Sequence, residues 1–170
     1  MSVWRAHLLG HFQLWRDDLS LTHVFETDSA RALFAWLCLN PGKPTRRDVL
    51  AALLWPDKTQ AAALSALRTT LTRIRRALTS EGSTDPLPLR ADAHTVALDL
   101  TAEWSVDALR FEHAYARSQS CSHRRLVGCA ECLRNLRQVV AAYEGELLAG
   151  LSIDSELFTD WLTQQREHFH

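Results

Sequence analysis

Nowhere in the chain do apolar residues run on for the roughly 18 positions that a membrane helix needs, so no span is expected. The N-terminus sets Arg5, His7 and His11 among its apolar residues and lacks a signal-peptide profile. Charge of one sign is not in excess either: 19 Lys and Arg against 20 Asp and Glu leave a formal net charge of −1. Any contact with nucleic acid must therefore come from a local patch. Cysteine is sparse, with four in 170 residues, at positions 38, 121, 129 and 132. Without an export signal, reduced thiols in a cytoplasmic protein are expected rather than a disulfide framework. No Gly-x-Ser-x-Gly elbow, His-Glu-x-x-His helix or Gly-x-Gly-x-x-Gly turn occurs. Gly42-Lys43-Pro44-Thr45 is not a phosphate loop, because Leu37 stands at the first glycine position and proline splits the Lys-Thr pair. An enzyme is not expected. What is present, 46% hydrophobic and 23% charged residues, is the mix of one mid-sized globular domain or two small ones.

The hydropathy pattern changes along the chain. Residues 1–27 read as strands: His11-Phe12-Gln13-Leu14 and Leu19-Ser20-Leu21-Thr22 alternate around a polar turn at Arg16-Asp17-Asp18. Residues 28–78 read as three helices. Asp28 or Ser29 caps the first, which stops at Asn40-Pro41-Gly42. Thr45 caps the second, whose apolar face is Val49, Leu50, Leu53 and Leu54 and whose end is Trp55-Pro56-Asp57. The third runs from about Lys58 to Leu78 on a stripe of Leu64, Leu67, Leu71, Ile74 and Leu78. After a loop over 79–86, Leu87–Arg90 and His94–Leu98 flank Ala91-Asp92-Ala93 as a hairpin, and residues 101–104 read as a junction. Three further helices are expected over 105–118, 130–144 (with Leu133, Leu136, Val140 and Tyr143 on one face) and 155–168 (with Phe158, Trp161, Leu162 and Gln165). Cys38, Trp36, Trp55 and Trp161 fit apolar helix faces and are assigned to the core, while Trp4 and Trp15 cover the small sheet.

The third helix carries the strongest functional signal. On a helical wheel its apolar stripe faces one way, and the opposite face holds Lys58, Ser65, Thr69, Thr72 and Arg76 with Arg73 beside them. Arg68 and Arg75 flank the apolar edge. Five basic residues (58, 68, 73, 75 and 76) and no acidic ones lie between Lys58 and Arg76. Arginines grip phosphates or guanine edges, and short hydroxyl side chains let a helix approach a groove. A solvated basic face would look the same from charge alone. The short helix, tight break and longer basic helix together make a helix-turn-helix arrangement, and the following hairpin is placed as a wing with Arg90 near its tip. Thr45, Arg46 and Arg47 open the second helix, where free backbone amides suit a phosphate.

Strands, three helices and a hairpin follow the order of the OmpR-type winged helix, and the chain resembles the SARP family of transcriptional activators. The matching stretches are Leu9-Gly10-His11-Phe12, Ala30–Leu37, Arg47–Asp57 (ending Leu54-Trp55-Pro56-Asp57) and Leu67–Leu78. Val106-Asp107 with Phe111, Tyr143-Glu144-Gly145-Glu146-Leu147-Leu148-Ala149-Gly150, and Trp161 with Arg166-Glu167 look like the start of the family's helical, TPR-like bacterial transcriptional activation domain. The family's helical module is longer, so the chain matches only its front part, and Ser29 stands where such proteins often carry a basic residue. The resemblance implies an α+β winged-helix DNA-binding domain over 1–100 and the first helices of an all-α module over 105–170. It also implies sequence-specific duplex binding as head-to-tail copies on direct repeats, and recruitment of RNA polymerase.

One cluster stands outside that scheme. Cys121, His123, Cys129 and Cys132 offer three sulfurs and one imidazole, a donor set suited to structural zinc, with His113 in reserve. Packed thiols are the first alternative for a single C-x-x-C, and a redox dithiol at Cys129 and Cys132 is a further one. No cofactor is required. The rival to DNA binding is a protein-interaction adaptor whose basic face meets an acidic partner.

Overall fold

The computed structural model describes residues 2–79, 87–120, 129–141 and 143–169. Three strands open the chain: β1 (Val3–His7), β2 (Gln13–Arg16) and β3 (Leu19–Ser20). In β1, Trp4 and Ala6 are buried while Val3, Arg5 and His7 are not, the period of two expected of a sheet with one covered face. Asp17 takes a positive φ of 51° in the β2–β3 turn, and its carboxylate accepts from the Val3 amide at 2.8 Å. A single 3-10 turn (Thr22–Val24) leads into α1 (Asp28–Leu39).

α1 is apolar almost all round, burying Ala30, Ala32, Leu33, Phe34, Ala35, Leu37 and Cys38, and so forms the centre of the N-terminal half. Its cap is Thr27, whose hydroxyl oxygen accepts from the Ala30 amide; Asp28 and Ser29, expected as caps, lie within the helix. Around Phe34 sit Phe25 (ring centroids 5.1 Å), Phe12 (6.3 Å) and Trp104 (5.9 Å), and Trp104 stacks on Trp4 at 5.6 Å.

β4 (Thr45–Arg46), α2 (Arg47–Leu54), α3 (Gln60–Leu78), β5 (Leu89–Ala91) and β6 (Thr95–Leu98) follow. The second sheet has the order β4-β6-β5, all antiparallel. Thr45 therefore pairs with Val96 in a strand and does not cap α2. Val49 turns out to be exposed; Leu50, Ala51 and Leu54 face inward.

The expected junction holds at residues 101–102, but 103–106 form a strand, β7 (Glu103–Val106), running parallel to β1 at the edge of the first sheet, order β3-β2-β1-β7. Its register is Trp4 against Trp104 and Ala6 against Val106. A single short strand has too little alternation to be seen in sequence, and its partner lies a hundred positions away. α4 (Asp107–Ser120) follows at once, then α5 (Ala130–Ala141) and α6 (Glu156–His168), the last capped by Ser155. α5 packs on α4 through Cys132 and Val139, one heptad apart. The expected face is rotated: Leu133 and Leu136 are half-buried, and Val140 and Tyr143 are exposed. With α4 as the main neighbour, packing decides which edge of the stripe is covered.

The last helix returns to the N-terminal half. Trp161 packs on Trp36 (4.8 Å between rings), the Ser155 hydroxyl donates to the Leu53 carbonyl at 2.6 Å, and Leu9 bridges to Leu147. Leu8, Leu14, Phe34, Leu147, Leu148, Phe158 and Leu162 belong to one continuous core. Trp36 and Trp161 pack against that core as expected, as does Trp55, and Cys38 lies inside it. The architecture is α+β, with two small sheets and six α-helices among the described residues. No helix among them is long and apolar enough to cross a membrane.

Candidate nucleic-acid interface

α3 begins two residues later than expected. Thr59 is its cap, accepting from the Ala62 amide, and Lys58 sits in the preceding turn with its amide bonded to the Trp55 carbonyl at 3.2 Å. Lys58 remains exposed there. The helix buries Ala63, Leu67, Thr70, Leu71, Ile74 and Leu78, which holds the opposite face outward. Ser65, Arg68, Thr69, Thr72, Arg73 and Arg76 are all exposed, so the structure gathers them on one surface. α3 contains no acidic residue. Among the described residues, no carboxylate lies within ion-pair distance of Lys58, Arg68, Arg73 or Arg76.

Arg75, at the edge of the stripe, is different. It is half-buried, and its guanidinium donates to the Ala91 carbonyl in the hairpin at 3.4 Å. A second arginine makes a similar tether: Arg47 Nε donates to the Asp92 carbonyl at 2.8 Å, and the Arg47 amide to the His94 carbonyl at 2.8 Å. Arg47 thus helps fix the hairpin to α2. The turn itself is organised by Asp92, whose carboxylate accepts from the amides of His94 and Thr95, both at 2.7 Å, and from the Thr95 hydroxyl. The two amide bonds hold the Asp92 carboxyl below the usual carboxylate range. Sequence reasoning missed this role, although an aspartate two residues before the amide it accepts from is a local turn signal. The Arg47–Asp92 contact spans 45 positions and has no local signal.

The start of α2 is less open than expected. Arg46 is exposed but forms a two-pronged pair with Asp48 (3.1 and 2.5 Å), and Asp48 also accepts from the Val49 amide. A carboxylate therefore already occupies the positive end of α2, where a phosphate was expected. Arg90 lies in β5 opposite Ala97, one residue short of the Asp92–His94 turn. It is exposed, with Nε 3.5 Å from Asp99 Oδ2. The Asp99 carboxyl is held low mainly by the Thr101 amide, with Arg90 adding to it.

Of the cysteine cluster, Cys121 and His123 lie outside the described residues. Cys129 is half-buried just before α5, and Cys132 is buried against α4.

No family model matches the chain. Over 147 residues, 86% of its length, the chain is 29% identical to Regulatory protein AfsR of Streptomyces coelicolor, and that match spans 14% of AfsR. In structure the chain is similar to Mycobacterium tuberculosis EmbR, solved in complex with a low-affinity phosphopeptide, with a TM-score of 0.71 at 20% identity. That likeness covers 99% of this chain and 43% of EmbR, and it concerns the fold. The chain therefore spans a minor part of the length of both proteins.

Proposed function

We propose that the chain is a sequence-specific, double-stranded DNA-binding regulator of transcription. Residues 1–100 act as a winged helix: α3 enters the major groove and the β5–β6 hairpin is the wing. Residues 105–170 are the front of a TPR-like helical activation module, sharing the core described above. Lys58, Ser65, Arg68, Thr69, Thr72, Arg73 and Arg76 face the groove. Arg46 and Arg90 approach phosphates once they leave Asp48 and Asp99, and Thr45 and Arg47 position the start of α2 and the wing. One observation carries the reading: the exposed face of α3 is basic and acid-free in a chain of net charge −1, and a buried stripe fixes it outward. The name of the relative AfsR, a regulatory protein, supports the same class, and no catalytic chemistry is assigned. As a transcription regulator in the cytoplasm, the chain binds direct repeats as head-to-tail copies and activates by contact with RNA polymerase.

The test is selection of random duplex DNA on the purified chain, with a salt titration on the winning site. Enrichment of a repeated motif is expected. The log–log salt slope should steepen by about −0.9 for each phosphate neutralised. Weak binding without a motif would instead favour the adaptor reading, in which the basic face meets an acidic protein. The reading needs no cofactor; zinc held by Cys121, His123, Cys129 and Cys132 would pin the segment between α4 and α5, and metal quantification on the purified chain tests it.

A further inference from the structure

The centre of the α3 face is less polar than its residue names suggest. The Thr69 hydroxyl donates to the Ser65 carbonyl at 3.1 Å, and the Thr72 hydroxyl donates to the Arg68 carbonyl at 3.0 Å. Both hydroxyl protons are spent on the helix's own backbone one turn earlier. With its proton committed in this way, each hydroxyl has no hydrogen left to donate at the groove, and the methyl of an exposed threonine is the group that remains for apolar contact. Both residues are exposed, and no other described element covers them.

Ser65, Thr69 and Thr72 lie along the middle of the outer face, with Arg68 and Arg73 roughly 140° apart on its two sides. Arg76 closes the face at its C-terminal end. The surface thus offers two threonine methyl groups between guanidiniums. In the major groove the apolar feature of a base pair is the thymine C5-methyl, and threonine methyls contact it well. The flanking arginines reach outward to phosphates or guanine edges, which presses the threonine methyls toward the groove floor.

Resting on the DNA-binding reading above, we propose that Thr69 and Thr72 are specificity-determining residues that read thymine methyl groups by apolar contact, not by hydrogen bonding through their hydroxyls. Each methyl–methyl contact removes about one CH2 equivalent of apolar surface from water, roughly fourfold in affinity.

The experiment uses the full chain and the duplex won by selection, with each thymine replaced in turn by uracil, which lacks only the C5-methyl. One or two positions should lose about fourfold on replacement. The thymine-over-uracil ratio at those positions is then measured for T69V, T72V, T69S and T72S. Valine keeps the methyl and removes the hydroxyl, so the ratio should persist; serine does the reverse, so the ratio should fall to one. All four changes are on the solvent face, and thermal melts report that the fold is kept. A uracil duplex that binds as well as the thymine duplex, or a ratio that survives in serine and vanishes in valine, would overturn the proposal while leaving sequence-specific DNA binding intact. Failure to select any motif would remove both.

Discussion

Asp107 shows how much a single side chain can hold. It is buried at the first position of α4, and its carboxylate accepts from the amides of Leu8 at 2.8 Å and Leu9 at 3.0 Å, as well as from its neighbour Ala108. Replacing it with alanine leaves buried amides without partners. Asp107→Ala is expected to cost about 3 kcal/mol, read as a lower urea midpoint at unchanged slope. Cys38 lies in the same core, and burial, with the Asp107 charge adding to it, pushes its thiol far above the ordinary range. A raised folded pKa means that the unfolded chain releases this proton first as pH rises. The Cys38 contribution to stability is therefore full below about pH 8.5 and declines above it by up to about 1.4 kcal/mol per pH unit. Comparing urea midpoints of the parent and Cys38→Ala between pH 7 and 10 should show the steeper decline in the parent. On the α3 face, Arg76→Ala should weaken binding to the selected site more than to random duplex; equal losses would place Arg76 on the DNA backbone instead.

At the scale of elements, the hairpin is tethered to α2 and α3 by two arginines. α3 contributes the face, and Arg75 and Arg47 hold the hairpin through the carbonyls of Ala91 and Asp92. Asp92 sets the turn with bonds to His94 and Thr95. Because those bonds hold the Asp92 carboxyl low, the turn's support is present above about pH 4 and is lost as pH falls through the depressed folded value. Asp92→Ala should therefore speed amide hydrogen exchange at His94 and Thr95 at neutral pH, with little change within α3. A uniform increase across α3 would mean that the hairpin and helix do not open separately. The stripe of α3 was legible because five apolar residues three and four apart leave one arrangement for a helix against a core. The face of α5 was not, because Leu133, Leu136, Val140 and Tyr143 form an equally regular stripe, and packing on α4 selects Cys132 and Val139 instead.

For the whole molecule, the two halves meet through main chain as well as side chains. Gly10 donates to the Glu146 carbonyl, Glu144 to Leu9 and Leu148 to Leu8, while Arg166 reaches the carbonyls of Leu147 and Leu148. Gly10 has a φ of 130°, and a Cβ there would lie 3.1 Å from the Glu144 Cβ, so this crossing requires glycine. Phe158 in α6 belongs to the same core as Phe34 in α1. Phe158→Ala is expected to cost about 3–5 kcal/mol and to lower a single melting transition seen by probes in both halves. Two transitions, with the N-terminal one unmoved, would mean that the halves fold independently.

Local information determined what is local in this protein. Helix stripes, the Trp55-Pro56-Asp57 break, the hairpin and the acid-free face of α3 all follow from residues within a few turns of one another, so periodicity and turn chemistry suffice to find them. Tertiary structure decided β7 pairing with β1 across a hundred residues and Arg47 and Arg75 serving the hairpin. There the partner is distant in the chain, so the contact exists only once the core has brought the two segments together. Asp48 at the end of α2 and the threonine hydroxyls turned back on α3 lie between these cases: both are contacts within a turn of helix, settled by which of several competing local partners and rotamers is lowest in free energy.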